Sequence, residues 1–311
     1  MTRRRVLWLV AAILAGAALL AWVPDRPLDE LRARWAPPPS TFLSVDGMSV
    51  HVRDEGPRDD AEPIVLLHGT AASLHTWDGW TQVLARRRRV VRLDLPGFGL
   101  TGPFPDDDYT MAHYVRFLTR VLDTLGVRRF VLVGNSFGGN VAWHMALAEP
   151  GRVARLVLVD SGGYAHASTK TPIGFRIAQI PFLSRLVEHI LPRRAVESSV
   201  RDAYADPARV TPALVDRYYE LTLRAGNRHA LVQRFRQVPA GVDADRIRAV
   251  SVPTLVLWGR DDRIVPVEYA RRFHEDIAGS RLVILDGLGH VPQEEDPRRS
   301  VEPVEQFLGS S

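Results

Sequence analysis

The 311-residue chain has no cysteine. That excludes disulfides, thiol nucleophiles and cysteine-bound metals, and leaves the compartment open, because a disulfide-free protein folds anywhere. Charge of one sign is also scarce, with a formal net charge of +4. Nearly all of the 40 basic side chains are arginine. The densest basic run, Arg86 to Arg89, has no interleaved aromatic residues. It reads as a solvated helix end, which argues against a nucleic-acid partner. No clustered histidine and carboxylate spacing suggests a metal site, and no cofactor motif is present. Internal repeats and low-complexity bulk are absent. At 46% hydrophobic and 24% charged residues the chain has an ordinary globular composition.

One long apolar run stands out. Arg3, Arg4 and Arg5 precede Val6 to Val23, eighteen residues without a charge. As a helix they would span about 27 Å, close to a hydrocarbon core of about 30 Å. The run exceeds a usual signal-peptide core, and no convincing cleavage site follows it. The expectation is therefore a single-pass anchor over residues 1–24 and a membrane as partner. The arginine cluster places the N-terminus in the cytoplasm and the catalytic domain outside it. Secretion after cleavage is the alternative. Residues 25–41, ending in "WAPPPST", read as a proline-rich linker.

From Phe42 onward short apolar strands alternate with helices. "PIVLLHG", "RVVRLDLPGFG", "FVLVGN" and "VARLVLVD" are near-continuously apolar, the pattern of parallel strands covered on both faces. The alternation stops near Gly163, and until Val242 the chain reads as helices alone. Strands resume at "PTLVLWGRDD" and "SRLVILDGLGH". The division is an α/β core over 42–162 and 243–311, interrupted by a helical cap over 163–242. In such sheets the ligand site lies at the carboxyl ends of the strands.

Those ends carry the chemistry. "GNSFGG" flanks Ser136 with glycines between a strand and a helix, the pattern of a tight turn that exposes a serine hydroxyl. A serine needs a base, and the base needs an orienting carboxylate. His290, in "DGLGHVPQEEDP", follows a strand directly. Asp261 and Asp262 follow another, and Asp160 ends a third as an alternative acid. A tetrahedral intermediate also needs donors. The backbone N–H of Phe137 is one. Thr70 supplies the other, with Ala71 left open. The cap residues Ile173, Phe175, Ile177, Phe182 and Leu186 are apolar enough to line an acyl pocket.

These segments together resemble the α/β-hydrolase superfamily. The resemblance rests on "LLHGTAAS", "LDLPGFGLT", "GNSFGGN", "LVLWGRDDRIVP" and "GHVPQEEDP", in that order over residues 42 to 308. It implies an α/β fold, a mostly parallel eight-stranded sheet with helices on both faces and an inserted helical cap. It also implies Asp262 as the acid, His290 as the base and Ser136 as the nucleophile, with no cofactor. A serine at this turn, where dehalogenases and epoxide hydrolases carry aspartate, argues against those activities. The expected function is hydrolysis of carboxylic esters of small to medium apolar acyl groups, with a small-molecule ester as substrate. The alternatives are a C–C bond hydrolase of ring-fission diketones, which "GNSFGG" and "WGRDDRIVP" also resemble, a cofactor-free haloperoxidase or acyltransferase, and a non-catalytic binding protein.

Overall fold

A computed structural model describes residues 22–165 and 188–309, together with Arg5 and Trp8. Eight strands form one sheet: β1 (Thr41–Val45), β2 (Met48–Glu55), β3 (Ile64–Leu67), β4 (Val90–Leu93), β5 (Phe130–Asn135), β6 (Val153–Val159), β7 (Thr254–Gly259) and β8 (Arg281–Leu285). Their spatial order is β1-β2-β4-β3-β5-β6-β7-β8. The β1–β2 and β2–β4 pairs are antiparallel and the remaining pairs parallel.

The apolar strands explain the layering. Alternate side chains of a strand point to opposite faces. Phe130 and Leu132 accordingly join the core cluster on one face, and Val131 and Val133 the cluster on the other. The first face is covered by α3 (Met111–Thr124) and α4 (Phe137–Ala148). In α3 the residues Met111, Tyr114, Phe117, Leu118, Val121 and Leu122 are buried, a helical spacing that lays one stripe on the sheet. The second face is covered by α2 (Asp78–Leu84) and α10 (Pro297–Gly309), through Trp80, Val301, Val304 and Phe307. Helix α8 (Glu268–Asp276) packs between β7 and β8, burying Ala270 and Phe273.

Between β6 and β7 the described residues form α5 (Arg193–Ala203), α6 (Pro212–Thr222) and α7 (Asn227–Gln237). Pro212 opens α6, and Thr211 Oγ1 caps it by accepting the Leu214 N–H at 3.2 Å. Ile173, Phe175, Ile177, Phe182 and Leu186, expected in an acyl pocket, lie outside the described residues.

The N-terminal region departs from expectation twice. The single-pass anchor, its cytoplasmic N-terminus and the membrane as partner are corrected: among the described residues no helix is long and apolar enough to cross a membrane. Of the segment from Val6 to Val23, only Trp8, Trp22 and Val23 are described. Trp22 and Val23 engage the chain before α5. The Trp22 ring stacks on His189 at 4.3 Å, and the Val23 N–H donates to the His189 carbonyl at 2.9 Å. Where a linker was expected over 25–41, the structure has the helix α1 (Leu28–Trp35). Leu31 is fully buried against Leu100 and Leu221. Asp25 accepts from the Arg228 guanidinium at 2.6 Å and from the Gly226 N–H at 3.1 Å. Arg26 exchanges backbone hydrogen bonds with Leu223 and Ala225, and Glu220 accepts from Trp35 Nε1 at 2.7 Å. The segment is a strap fastened to α6 and α7.

Candidate active site

Strand β5 runs into α4 through a single residue, Ser136, at φ 54° and ψ −116°. A side chain at positive φ is strained, so the turn survives only where its surroundings enforce it. The glycines supply the room. A Cβ on Gly134 would stand 2.2 Å from the Gly138 carbonyl oxygen, and one on Gly138 would stand 2.3 Å from that of Leu67. Backbone therefore packs on backbone at both positions, and only glycine fits. Ser136 remains partly exposed between fully buried neighbours. Its N–H donates to the Val159 carbonyl at 3.0 Å, which ties the turn to the end of β6.

The two residues expected to assist Ser136 meet each other. His290 Nδ1 lies 2.7 Å from Asp262 Oδ2, with both side chains buried. Asp262 Oδ1 accepts the N–H groups of Ile264 and Val265 at 2.7 and 2.9 Å. One carboxylate oxygen is thus fixed by backbone, and the other is left for the imidazole. Asp261 is exposed, which separates the two aspartates that the sequence left side by side. Ser136 Oγ makes no hydrogen bond to His290 among the described residues.

Two residues that sequence reading passed over bring Ser136 and His290 together. Asn135 Nδ2 donates to the Val159 carbonyl at 3.1 Å and to the His290 carbonyl at 2.9 Å. The residue before the serine thereby staples the loop of the histidine. Glu295, buried, accepts the Gly289 N–H at 2.8 Å and the N–H groups of Ala205 and Asp206 at 3.1 and 2.9 Å. The His290 N–H donates to the Ala203 carbonyl at 2.7 Å. The histidine loop is thus held by the end of α5 and the two residues that follow Tyr204. The signal for Asn135 was a polar side chain at the end of an apolar strand, whereas Glu295 stands among Gln293, Glu294 and Asp296 with nothing in the sequence to single it out.

Asp160 sits behind the pair. It is fully buried at φ 44°, its Oδ1 accepts the Gly259 N–H at 2.9 Å, and its Oδ2 has no partner. Asp160, Asp262 and His290 each offer an atom within 4.8 Å of the others. Burial and the neighbouring Asp262 charge push the Asp160 carboxyl well above the usual range. The shift favours the protonated form of Asp160 in the folded protein.

On the other side of Ser136 lies the loop after β3. A Cβ on Gly69 would stand 3.0 Å from Ser136 Cβ, so Thr70 and Ala71 follow a residue in close approach to the serine. Ala71 has φ 56°. The first N–H groups of α4, Phe137 among them, have no intrahelical acceptor, and the helix end favours negative charge. His68 is no rival base. Its Nε2 accepts the Leu95 N–H at 3.0 Å, so Nδ1 carries the proton and donates to the Gly69 carbonyl at 2.8 Å. Burial holds this imidazole below its usual range, against the charge of Asp94.

A second Ser-His-Asp chain is built into the same molecule. Ser40 Oγ lies 2.9 Å from His51 Nε2, and His51 Nδ1 lies 2.7 Å from Asp94 Oδ2. Ser40 closes the turn over Pro37–Pro39 through its N–H, but a strand rather than a helix follows it, and Arg53 Nε donates to its Oγ at 2.8 Å. Asp94 also accepts the N–H groups of Leu74 and Leu100, each at 2.7 Å. The geometry is a clasp that fastens loops, and the comparison shows what Ser136 has in addition.

Comparison with known proteins agrees with the fold. The alpha/beta hydrolase fold family matches residues 62–297. The chain is 31% identical to the 2-hydroxy-6-oxo-2,4-heptadienoate hydrolase of Pseudomonas putida, over 86% of this chain and 96% of that protein. A meta-cleavage product hydrolase from Pseudomonas fluorescens IP01 superposes with a TM-score of 0.75 at 24% identity, covering 86% of this chain and 97% of that one. That likeness concerns the fold. The structure of a membrane phospholipase A, described as a bacterial virulence factor, superposes with a TM-score of 0.73 at 26% identity, covering 99% of this chain and 98% of that one.

Proposed function

The chain belongs to the alpha/beta hydrolase family, and from that premise we propose that it hydrolyses an acyl carbon–carbon bond of a ring-fission diketone, with Ser136 as nucleophile. One observation carries the substrate class: 31% identity, over 86% of the chain, to a hydrolase of 2-hydroxy-6-oxo-2,4-heptadienoate. The expectation of ester hydrolysis gives way to the alternative on that ground.

In this reading His290 Nε2 takes the Ser136 hydroxyl proton as Oγ attacks the terminal carbonyl carbon. Asp262 orients the imidazole and stabilises it when charged. The N–H groups of Phe137 and of Thr70, or of Ala71 in its place, hold the oxyanion. With the substrate in its diketone form, the electron pair of the broken C–C bond passes along the conjugated chain to the far carbonyl oxygen. That oxygen takes the proton held by His290. Water, deprotonated in turn by His290, attacks the acyl-enzyme and releases a carboxylic acid and Ser136. Each half-reaction returns the imidazole to its starting state. No step calls on a metal or organic cofactor.

Ester hydrolysis is the second reading. The likeness to a phospholipase A over 99% of this chain favours it, and the same residues would serve. The two separate in one assay: kcat/KM on 2-hydroxy-6-oxohepta-2,4-dienoate against p-nitrophenyl butyrate, for the wild type and Ser136→Ala. The first reading expects the dienoate to be preferred by about a hundredfold or more, a gap of about 3 kcal/mol in transition-state binding. A preference for the ester would replace it with the second.

A further inference from the structure

Arg234 is a buried cation without an anion. The residue is 6% exposed. Its guanidinium carbon lies 4.6 Å from the ring centre of Phe137 and 3.9 Å from that of Phe235. Nε is buried with no acceptor, and among the described residues the guanidinium has no hydrogen-bond partner. The one ionisable group that bears on it is the Tyr114 phenol, whose own hydroxyl donates to the Pro96 carbonyl. Burial lowers its pKa to about 10, which leaves it charged at neutral pH. Residues 1–21 and 166–187, which lie largely outside the description, contain no aspartate or glutamate. No side-chain carboxylate of this chain is therefore available to pair with it.

Its surroundings point to the substrate. Phe137 follows the nucleophile directly. On α7, Asn227, Leu231 and Arg234 recur at helical spacing and share one face. Asn227 and Leu231 line a small internal cavity with Ala71, Ala72 and Phe98, beside the loop after β3. Asn227 Oδ1, like Arg234 Nε, is buried without a partner. The face of α7 turned to the core thus carries an unused acceptor and an unpaired cation, between the cap and the nucleophile turn. An unpaired buried charge is costly, and aromatic faces return only part of what water supplied. A ligand anion would complete the arrangement, since a guanidinium grips carboxylate or phosphate oxygens in a bidentate fashion.

We propose that Arg234 is an anion-accepting specificity residue, receiving a carboxylate or phosphate group of the substrate beside Phe137. The assignment rests on the serine-hydrolase reading only for the location of the reacting carbonyl; the anion site itself is tested without turnover. Thermal melting is followed for the wild type, Arg234→Gln and Arg234→Lys with hexanoate, hexyl phosphate or hexanol. An anionic ligand is expected to raise the wild-type melting temperature by about 2–5 °C, with hexanol giving less than about 1 °C. Arg234→Gln should lose the anion-specific shift, and Arg234→Lys should keep part of it. A larger shift with hexanoate assigns a carboxylic acid substrate, and one with hexyl phosphate a phosphoester. Ligand-free Arg234→Gln should melt at or above the wild type, because the unpaired charge is gone. A structural role for Arg234 predicts a lower melting point. Equal anion shifts in wild type and Arg234→Gln, or none with either anion, would overturn the assignment. Labelling of Ser136 by a fluorophosphonate reports separately on the hydrolase reading.

Discussion

Ser136, His290 and Asp262 differ in how each is held, and the differences predict how each fails. Ser136→Ala removes the proposed attacking atom and should lower kcat/KM by about 10⁴-fold or more, with the fold intact. Asp160 and Asp262 make a sharper comparison, because burial raises the Asp160 pKa whereas Asp262 faces an imidazole. Asp160→Asn keeps an oxygen that accepts the Gly259 N–H. It should change stability by less than about 1 kcal/mol, whereas Asp160→Ala strands that buried N–H and should cost about 1–3 kcal/mol. Chemical denaturation measures both. Asp262→Asn should lower kcat by several orders of magnitude, since a neutral amide cannot stabilise the imidazolium. Equal effects of Asp160→Asn and Asp262→Asn on kcat would mean that the acid has been misassigned. Asn135→Ala removes the side-chain donor of the His290 carbonyl, while the Val159 carbonyl keeps the Ser136 N–H, and frees the loop of His290. A tenfold to hundredfold fall in kcat at little change in KM is expected, from a base that is present and misplaced.

Among the elements, the β5–α4 turn was legible in the sequence because two signals coincide there. A β-branched apolar run sets the strand, and glycines at 134 and 138 admit backbone where any Cβ would collide. Asp262 needed the structure to separate it from Asp261, since adjacent aspartates look alike until one is buried. Helix α1 was hidden for a different reason. "LDELRARW" is half charged, and one buried leucine, Leu31, anchors it. Its stability comes from partners distant in sequence, Glu220 and Leu221 on α6, which no local pattern displays. The apolar run before it was read by composition alone as a spanning helix, and the residues at its end instead stack and hydrogen-bond near α5. Asp25→Ala tests the strap. Arg228, with a side chain 3% exposed, would lose its carboxylate partner. Because Asp25 itself is 42% exposed, the cost is about 1–2 kcal/mol rather than that of a fully buried pair. Urea denaturation should show it, and an unchanged midpoint would mean that the strap adds nothing to the fold.

At the scale of the molecule, acid stability should depend on the clasp that joins the β1–β2 hairpin to the parallel sheet. Burial raises the Asp94 pKa, but the charge and hydrogen bond of His51 outweigh it and hold the carboxyl below its ordinary value. A carboxylate with a depressed folded-state pKa contributes stability above its unfolded pKa of about 3.9 and loses it as pH falls below that. The melting temperature should therefore drop between about pH 5 and pH 2, and Asp94→Asn should flatten that drop while lowering stability at pH 7. The whole molecule also explains why Arg234 escaped notice in the sequence. In a chain whose basic residues are nearly all arginine, one more is unremarkable until burial and the absence of any facing acid single it out. Two sets of Ser, His and Asp in one fold make the same point about motifs: residue types coincide, and backbone strain with a following helix N-terminus distinguishes the proposed nucleophile Ser136 from Ser40.

The measurement that bears most directly on this account is covalent labelling of the intact protein by a fluorophosphonate, with the adduct mapped to a peptide. One adduct is expected, on Ser136, abolished in Ser136→Ala and slowed at least a hundredfold in His290→Ala. An adduct on Ser40, or a folded protein that takes up no label, would contradict it.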